Sequence, residues 1–351
     1  VLYLSDAGAV AHVDGGFGRE VAWDIPLLEG YDFRVLQPGS SLTARGFWQR
    51  YDARLGEALS DAQPDWILIY GYASRMNWAA LRWARKHGVR LAYTSDSNLR
   101  DPQRRLVAPV KRLVLRYFFH YVDVFFATSE ANEDYLLSFY AQRSKIHRIP
   151  FAIDVGRFKR AASADPARRY DFIWAGKFIS LKRAGDFIQA LDVLAQRDTR
   201  PIKACIVGDG PLRESLHRQA EQLPSHCSIE FMGFVNQRGM PGILQAAEAL
   251  VFTSDREAYG LIAAEAAAAG LALVVADNIG CVGASDLARQ GINALTYPTH
   301  DVPALARAMG TLLDEPTVRH NMQRASARIA GESDLPRAAA LIEGVIGGAT
   351  A

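Results

Sequence analysis

Cysteine is scarce: Cys205, Cys227 and Cys281 are the whole complement of a 351-residue chain. Three thiols at wide, irregular spacing make neither a disulfide framework nor a metal-ligand set, and they argue for a reducing compartment. Net charge is nearly missing as well, since 40 Lys and Arg against 38 Asp and Glu leave a formal +2. A field that weak gives no argument for a nucleic-acid binder, so any basic site has to be local. No apolar run approaches the roughly eighteen residues of a membrane span. With a strand-like run at Val1 to Leu4 there is no visible signal peptide, and the expectation is a cytoplasmic protein, at most held at the inner face of the cytoplasmic membrane. Nor does a Gly-x-Gly-x-x-Gly follow the first strand with an acid about twenty residues on, which argues against a nicotinamide-dependent dehydrogenase.

What is present is enough for two full cores, because 49% of 351 residues are apolar. Compact apolar runs at Phe33–Leu36, Trp66–Tyr70, Leu91–Tyr93, Val122–Phe126 and Ile146–Phe151 alternate with helix-like stretches. A second series follows at Tyr170–Ala175, Ile202–Val207, Ile229–Met232, Ala249–Phe252 and Leu271–Val275. Such alternation predicts an α/β protein with two doubly wound, Rossmann-like domains and a ligand cleft at the carboxyl ends of their strands. The expected domains are residues 1–152 and 153–332, with 333–351 returning to the first and the polar stretch Lys159 to Arg169 leading across. The glycine-rich loop Asp14-Gly15-Gly16-Phe17-Gly18-Arg19 reads as a close-approach loop ahead of a helix running through Trp23.

The densest chemical signal is Glu257-Ala258-Tyr259-Gly260-Leu261 leading into the alanine-rich stretch that holds Glu265. Glu257 precedes the predicted helix and Glu265 lies about six residues into it, on the order of 9 Å along the axis. Between them, the free N–H groups of a first helical turn attract an anion. On spacing alone this is equally an alanine-rich helix with solvated glutamates. Lys177 and Lys182, in the loop after Ala175, can both reach a diphosphate at that strand's end and stand in for a metal. Gly208-Asp209-Gly210-Pro211 is a tight turn after the next strand, and Met232-Gly233-Phe234-Val235 puts backbone where a flat base can lie.

In that order, from Trp174 to about Leu295, these motifs resemble retaining glycosyltransferases of the GT-B fold, and most closely glycosyltransferase family 4. The resemblance implies that Glu257 lies by the donor sugar, that the N–H groups of Tyr259, Gly260 and Leu261 contact sugar hydroxyls and diphosphate, and that Glu265 accepts from the ribose. It implies Lys177 and Lys182 on the diphosphate, Gly208 and Val235 on the donor side, and Gly15-Gly16 approaching the donor phosphate. Lysine stands at 177 where the family more often has arginine, and tyrosine at 259 where it has phenylalanine. Asp96, in Thr94-Ser95-Asp96-Ser97, takes the place of a histidine close to the reacting sugar. It either orients an acceptor hydroxyl or caps a turn.

The implied activity is transfer of a hexosyl or related group from a UDP- or GDP-sugar to a glycan, lipid-linked or small-molecule acceptor. The implied mechanism is metal-independent displacement on the same face, with no cofactor, and domain closure that excludes water. A sugar-nucleotide epimerase and a non-catalytic nucleotide-sugar binder remain as alternatives. One further feature is a basic amphipathic stretch, Pro109 to Tyr121, preceded by Arg104-Arg105. Its periodicity gathers Val110, Leu113, Val114, Tyr117, Phe118 and Tyr121 opposite Lys111, Arg112 and Arg116. That pattern reads either as a helix on its own sheet with a solvated basic face or as a contact with anionic lipid head groups.

Overall fold

The computed structural model describes residues 1–40, 46–100, 108–159, 168–197 and 199–348. Arg104 and Arg105, and most of the stretch expected to lead across between domains, lie outside the described residues. The chain divides by internal contact into a unit of residues 1–12 and 20–149 and a second of 13–19 and 150–351. The terminal stretch, expected to return to the first domain, is counted with the second unit, where Ile153 N–H donates to the Ser333 carbonyl at 2.9 Å.

The first unit holds β1 (Leu2–Tyr3), β4 (Arg34–Val35), α1 (Leu55–Ala62), β5 (Trp66–Tyr70), α2 (Arg75–His87), β6 (Arg90–Ser95), α3 (Ala108–His120), β7 (Val124–Ala127), α4 (Glu130–Ser138) and β8 (Ile146–Arg148). Strands β5-β6-β7-β8 form a parallel sheet in chain order, while β1 pairs with β4. Local chemistry sets the helix ends. Ser74 and Ser129 accept from N–H groups three residues on, and Gly88 closes α2 at φ 69° behind Arg85, Lys86 and His87.

Two sequence expectations change here. The glycine loop opens no helix; it turns between β2 (His12–Asp14) and β3 (Arg19–Val21). The cause is Asp14, whose carboxylate accepts from Gly16 N–H at 2.8 Å and Phe17 N–H at 3.1 Å, while Gly18 closes the turn at φ 66°. In α3 the buried side is Leu115, Phe118 and Phe119, so Val110, Leu113 and Tyr117 face outward together with Arg112 and Arg116. Lys111 instead turns over the rings of Tyr135 and Phe139, 5.1 Å from each centroid. The basic and apolar faces expected to be opposite are therefore one mixed face.

The second unit continues with α5 (Val155–Phe158), β9 (Tyr170–Ala175), α6 (Ala184–Arg197), β10 (Ile202–Val207), α7 (Arg213–Ala220), β11 (Cys227–Gly233), α8 (Met240–Gln245), β12 (Ala247–Phe252), α9 (Leu261–Ala268), β13 (Ala272–Ala276), β14 (Ala294–Tyr297), α10 (Val302–Asp314), α11 (Pro316–Ala330) and α12 (Leu335–Gly348). Its sheet is wholly parallel in the order β11-β10-β9-β12-β13-β14. Strand order therefore reverses between β9 and β12, and that is where a doubly wound sheet opens a crevice at its carboxyl edge. Helix α9 runs down from this crevice with Ala263, Ala264, Ala266, Ala267 and Ala268 all buried. Strand β13 is buried along its whole length, as a parallel strand covered on both faces must be. Among the described residues no helix is long and apolar enough to cross a membrane.

Leu273, fully enclosed in the middle of β13, is expected to contribute about 2–5 kcal/mol, the usual loss for a buried Leu→Ala. Urea unfolding of Leu273→Ala checks this, and a loss under about 1 kcal/mol would mean the second core is not packed as described.

Candidate active site

Two loops meet at the point where strand order reverses, and hydrogen bonds from the sheet fix both. After β9, Gly176 N–H donates to the Val207 carbonyl at 3.0 Å and Phe178 N–H to the Asp209 carbonyl at 2.8 Å. The glycines at these strand ends have no alternative. A Cβ on Gly208, at φ 144°, would overlap the Gly176 carbonyl, and one on Gly210 would stand 2.7 Å from the Gly16 carbonyl oxygen. On the other side of the switch point, Thr253 accepts from Trp174 Nε1 at 2.8 Å and donates to the carbonyls of Lys182 and Arg183, each at 2.9 Å. Asp255 N–H adds a bond to Leu181 O at 2.8 Å. The lysine-bearing loop is thus held at both ends.

Each lysine has a carboxylate partner. Lys177 Nζ lies 2.7 Å and 3.0 Å from the two oxygens of Asp14 and 5.0 Å from the centre of the Phe17 ring. Burial by itself would raise the Asp14 pKa, but the Lys177 ammonium and the N–H groups of Phe17 and Gly16 outweigh it and hold the carboxyl below its ordinary value. Gly16 passes so close that a Cβ there would meet Lys177 Cδ at 2.5 Å. A Cβ added on Gly15 would meet nothing within 4 Å. Lys182 forms an ion pair with Glu257, which also accepts from Ser254 Oγ at 3.5 Å.

Glu257 and Glu265 sit in contrasting surroundings. Glu257 is at the rim, whereas Glu265 stands on the otherwise alanine-lined α9 with only 13% of its side chain exposed. Its nearest cation, Arg157, is 3.9 Å away and spends a hydrogen bond of 2.6 Å on Gln237. Burial therefore dominates over Arg157 and pushes the Glu265 pKa up to about 7. Between the two acids, Gly260 begins α9 at φ 100°, and a Cβ on it would run into the Phe252 ring. Tyr259 is buried against Phe151 at 4.9 Å between ring centres, and Leu261 is half exposed. Val235 packs against Gly239, where an added Cβ would stand 2.8 Å from Val235 Cγ1.

Eleven of the twelve residues singled out from sequence, namely Gly15, Gly16, Lys177, Lys182, Gly208, Val235, Glu257, Tyr259, Gly260, Leu261 and Glu265, fall in the second unit. Asp96 is in the first unit, after β6. There it accepts from the Tyr70 hydroxyl, whose pKa is pushed up to about 12 by local desolvation and by the Asp96 charge even though the Tyr70 side chain is half exposed. Sequence reasoning missed Asp14 as the Lys177 counter-ion and Arg157 as the cation beside Glu265. The Asp-Gly-Gly turn could have pointed to the first; nothing local points to the second. Among the described residues no group of three His, Cys, Asp or Glu could hold a metal ion.

Residues 10–152 match the glycosyl transferase 4-like domain family, and residues 156–328 match the glycosyl transferases group 1 family. Glycogen synthase of Mycobacterium tuberculosis (strain ATCC 25618 / H37Rv) is 31% identical over 175 residues, 50% of this chain and 41% of that protein. The GDP-mannose-dependent alpha-(1-6)-phosphatidylinositol dimannoside mannosyltransferase of M. tuberculosis (strain ATCC 25177 / H37Ra) is 27% identical over 325 residues, 87% of this chain and 75% of that protein. The chain thus spans less than half the length of the first of these relatives. Among solved structures, Anabaena HepE in complex with UDP superposes with a TM-score of 0.68 at 17% identity, covering 90% of this chain and 86% of that one. Sucrose-phosphate synthase of Thermosynechococcus elongatus gives 0.64 at 17%, covering 84% and 76%. At these identities the structural likeness speaks to the fold alone.

The raised Glu265 pKa has a consequence for stability. The unfolded chain loses this proton near pH 4.5 and the native protein near 7, so the native state binds more protons in that window and its stability falls as pH rises through it. Relative to wild type, Glu265→Gln is expected to gain up to about 3 kcal/mol between pH 5 and pH 8. Urea unfolding at the two pH values measures this, and an equal difference at both would show that Glu265 is ionised without penalty.

Proposed function

The chain belongs to the GT-B glycosyltransferases that resemble family 4, and from that premise we propose that it transfers a sugar, with retention, from a nucleoside diphosphate sugar to an acceptor hydroxyl. The observation that carries this reading is the pair of lysines at the sheet's switch point, each engaged by a carboxylate, with the start of α9 beside them. Two ammonium groups so placed match the two charges of a diphosphate. In this reading the arriving diphosphate draws Lys177 from Asp14 and Lys182 from Glu257. Glu257, released from its ion pair, then accepts hydroxyls of the donor sugar, and the N–H groups at the start of α9 face sugar and phosphate. Glu265, poised near neutrality by burial, takes the ribose diol deeper along the helix.

Rate enhancement comes from charge stabilisation as the glycosidic C–O bond lengthens and negative charge gathers on the leaving phosphate. Lys177 and Lys182 hold that charge, and the reading assigns the role to them rather than to a metal ion. The acceptor oxygen bonds the anomeric carbon on the face from which the phosphate departs and gives its proton to the leaving phosphate oxygen, so the anomeric configuration is kept. Asp96, with the Tyr70 hydroxyl on its carboxylate, is assigned to orienting the acceptor. For the base, HepE was crystallised with UDP while the mycobacterial mannosyltransferase is named for GDP-mannose; either nucleotide fits the assignment. The scarcity and full burial of the three free cysteines suit a cytoplasmic site of action, where nucleotide sugars are handled.

A thermal-shift screen with UDP, GDP and their sugars tests the assignment, because a ligand bound only by the native fold raises the melting temperature by mass action. Nucleoside diphosphate released only when an acceptor hydroxyl is present separates a transferase from a binding protein, and conversion of the donor sugar without acceptor would indicate an epimerase. Glu265→Ala is expected to weaken donor binding roughly tenfold or more, the scale of one lost charged hydrogen bond. Glu257→Ala should lower kcat by about 10². Unchanged kinetics in both would remove the site. Asp14→Asn takes away the competitor for Lys177 and is expected to tighten nucleoside diphosphate binding several-fold at low ionic strength, as read by titration calorimetry; weaker binding would mean that Asp14 positions Lys177 instead of competing for it.

A further inference from the structure

The sheet of the second unit has a charged trough at its amino edge, at the opposite end of the strands from the donor loops. One cavity there, of 300 Å³, is lined by Asp171 near the start of β9, Arg197 from the last turn of α6, Arg200 and Pro201 ahead of β10, Asp314 at the end of α10 and Arg319 in α11. Another, of 530 Å³, shares Asp171 and Pro201 with it and adds Arg169 and Lys203. The smaller cavity reaches the size of a small-molecule site, roughly 300–1,000 Å³. Such sites are mostly apolar, whereas this lining is charged, so a ligand has to answer charge with charge.

Part of that charge serves the fold. Arg200 is paired with Asp314. Arg319 Nη1 donates to the Leu312 carbonyl at 2.6 Å, in the last turn of α10, and its Nε lies 3.6 Å from Glu248. Two groups are left under-compensated. Apart from the α6 dipole, the exposed Arg197 guanidinium meets no carboxylate or carbonyl among the described residues. It lies against α10 where Gly310 leaves room, since a Cβ on Gly310 would stand 3.4 Å from Arg197 Nη1. Asp171 accepts the Lys203 N–H on Oδ2 at 2.8 Å, yet burial outweighs that bond and the Arg319 charge and raises the carboxyl pKa.

A ligand for this cavity must satisfy both groups at once. A bare anion suits Arg197 but is repelled by Asp171, and a neutral polyol suits Asp171 but leaves the guanidinium idle. A phosphomonoester carrying hydroxyl groups meets both demands, because the planar guanidinium fork matches two phosphate oxygens and a carboxylate accepts from hydroxyls. The positive end of the α11 dipole, at Pro316 in the lining, adds to the attraction for phosphate. We propose that this trough binds a small phosphorylated polyol, with the phosphate on Arg197 between Arg200 and Arg319 and a hydroxyl on Asp171. It is a second ligand site of the same unit, and it stands whether or not the reading of the donor crevice does.

The test is calorimetric titration of the full chain with glycerol 3-phosphate, and with inorganic phosphate and glycerol as its two halves. The ester is expected to bind about tenfold or more tighter than inorganic phosphate, and glycerol more weakly than either. Arg197→Ala should lose about tenfold or more of the ester affinity, the scale of hydrogen bonds to a charged group. Asp171→Asn keeps an acceptor for the Lys203 N–H and should cut the preference for the ester over inorganic phosphate several-fold, which simple charge attraction would not do. Matched thermal melting confirms that both variants are folded. A double variant, Lys177→Ala with Lys182→Ala, separates this site from the donor crevice and should bind the ester like wild type. Failure of the ester to bind, equal affinity for ester and inorganic phosphate, an Arg197→Ala variant that binds like wild type, an unchanged preference in Asp171→Asn, or loss of the ester in the folded lysine variant would each overturn the proposal.

Discussion

Two lysine–carboxylate pairs hold the second unit's site together, and the rest of the loop architecture follows from keeping them in place. An ammonium partly withdrawn from water costs several kcal/mol unless it is paired, so a loop that brings two half-buried lysines to one strand end must have counter-ions beside them. Asp14 and Glu257 are those counter-ions. The same pairs constrain the backbone. A Cβ on Gly16 would displace the Lys177 side chain, and Gly208 and Gly210 have to be glycine because the loops after β9 and β10 must pass within touching distance. Charge balance and close approach are two descriptions of one geometry.

Glu265 shows the opposite limit, a carboxylate given too little compensation to stay fully charged. It stands among the buried alanines of α9 with 13% of its side chain exposed, and Arg157 is too far for a hydrogen bond. Equal spacing of the two acids in the sequence thus conceals unequal electrostatics. Glu257 remains paired at the rim while Glu265 stands near half protonation at neutral pH.

Much of this architecture was legible before any coordinates. Runs such as Leu271 to Val275 contain no polar residue, and only a strand or helix covered on both sides tolerates that, so the parallel sheets and the glycine turns at their carboxyl ends could be read directly. The errors have equally local causes. The loop after Asp14 was expected to lead into a helix through Trp23; the Asp14 side chain instead captures two N–H groups and turns the chain into a hairpin. Lys111 was expected on an outward basic stripe, yet two aromatic rings from α4 and the turn after it draw it inward. Periodicity records which residues share a face and is blind to what stands opposite. The pairings of Asp14 with Lys177 and of Arg157 with Glu265 join segments far apart in the chain, where neither propensity nor spacing carries a signal.

The Thr253 hydroxyl ties one strand's end to the loop of another, receiving the Trp174 indole and reaching two successive carbonyls, those of Lys182 and Arg183. The segment from Gly176 to Arg183 is therefore a strap of fixed length, anchored at one end in the β10 turn and at the other on the Thr253 hydroxyl and the Asp255 N–H. Insertions and deletions that drift through surface turns elsewhere, such as the one before Cys227, have no slack to enter here. Sequence divergence in this protein is expected to change side chains along the strap while leaving its residue count untouched.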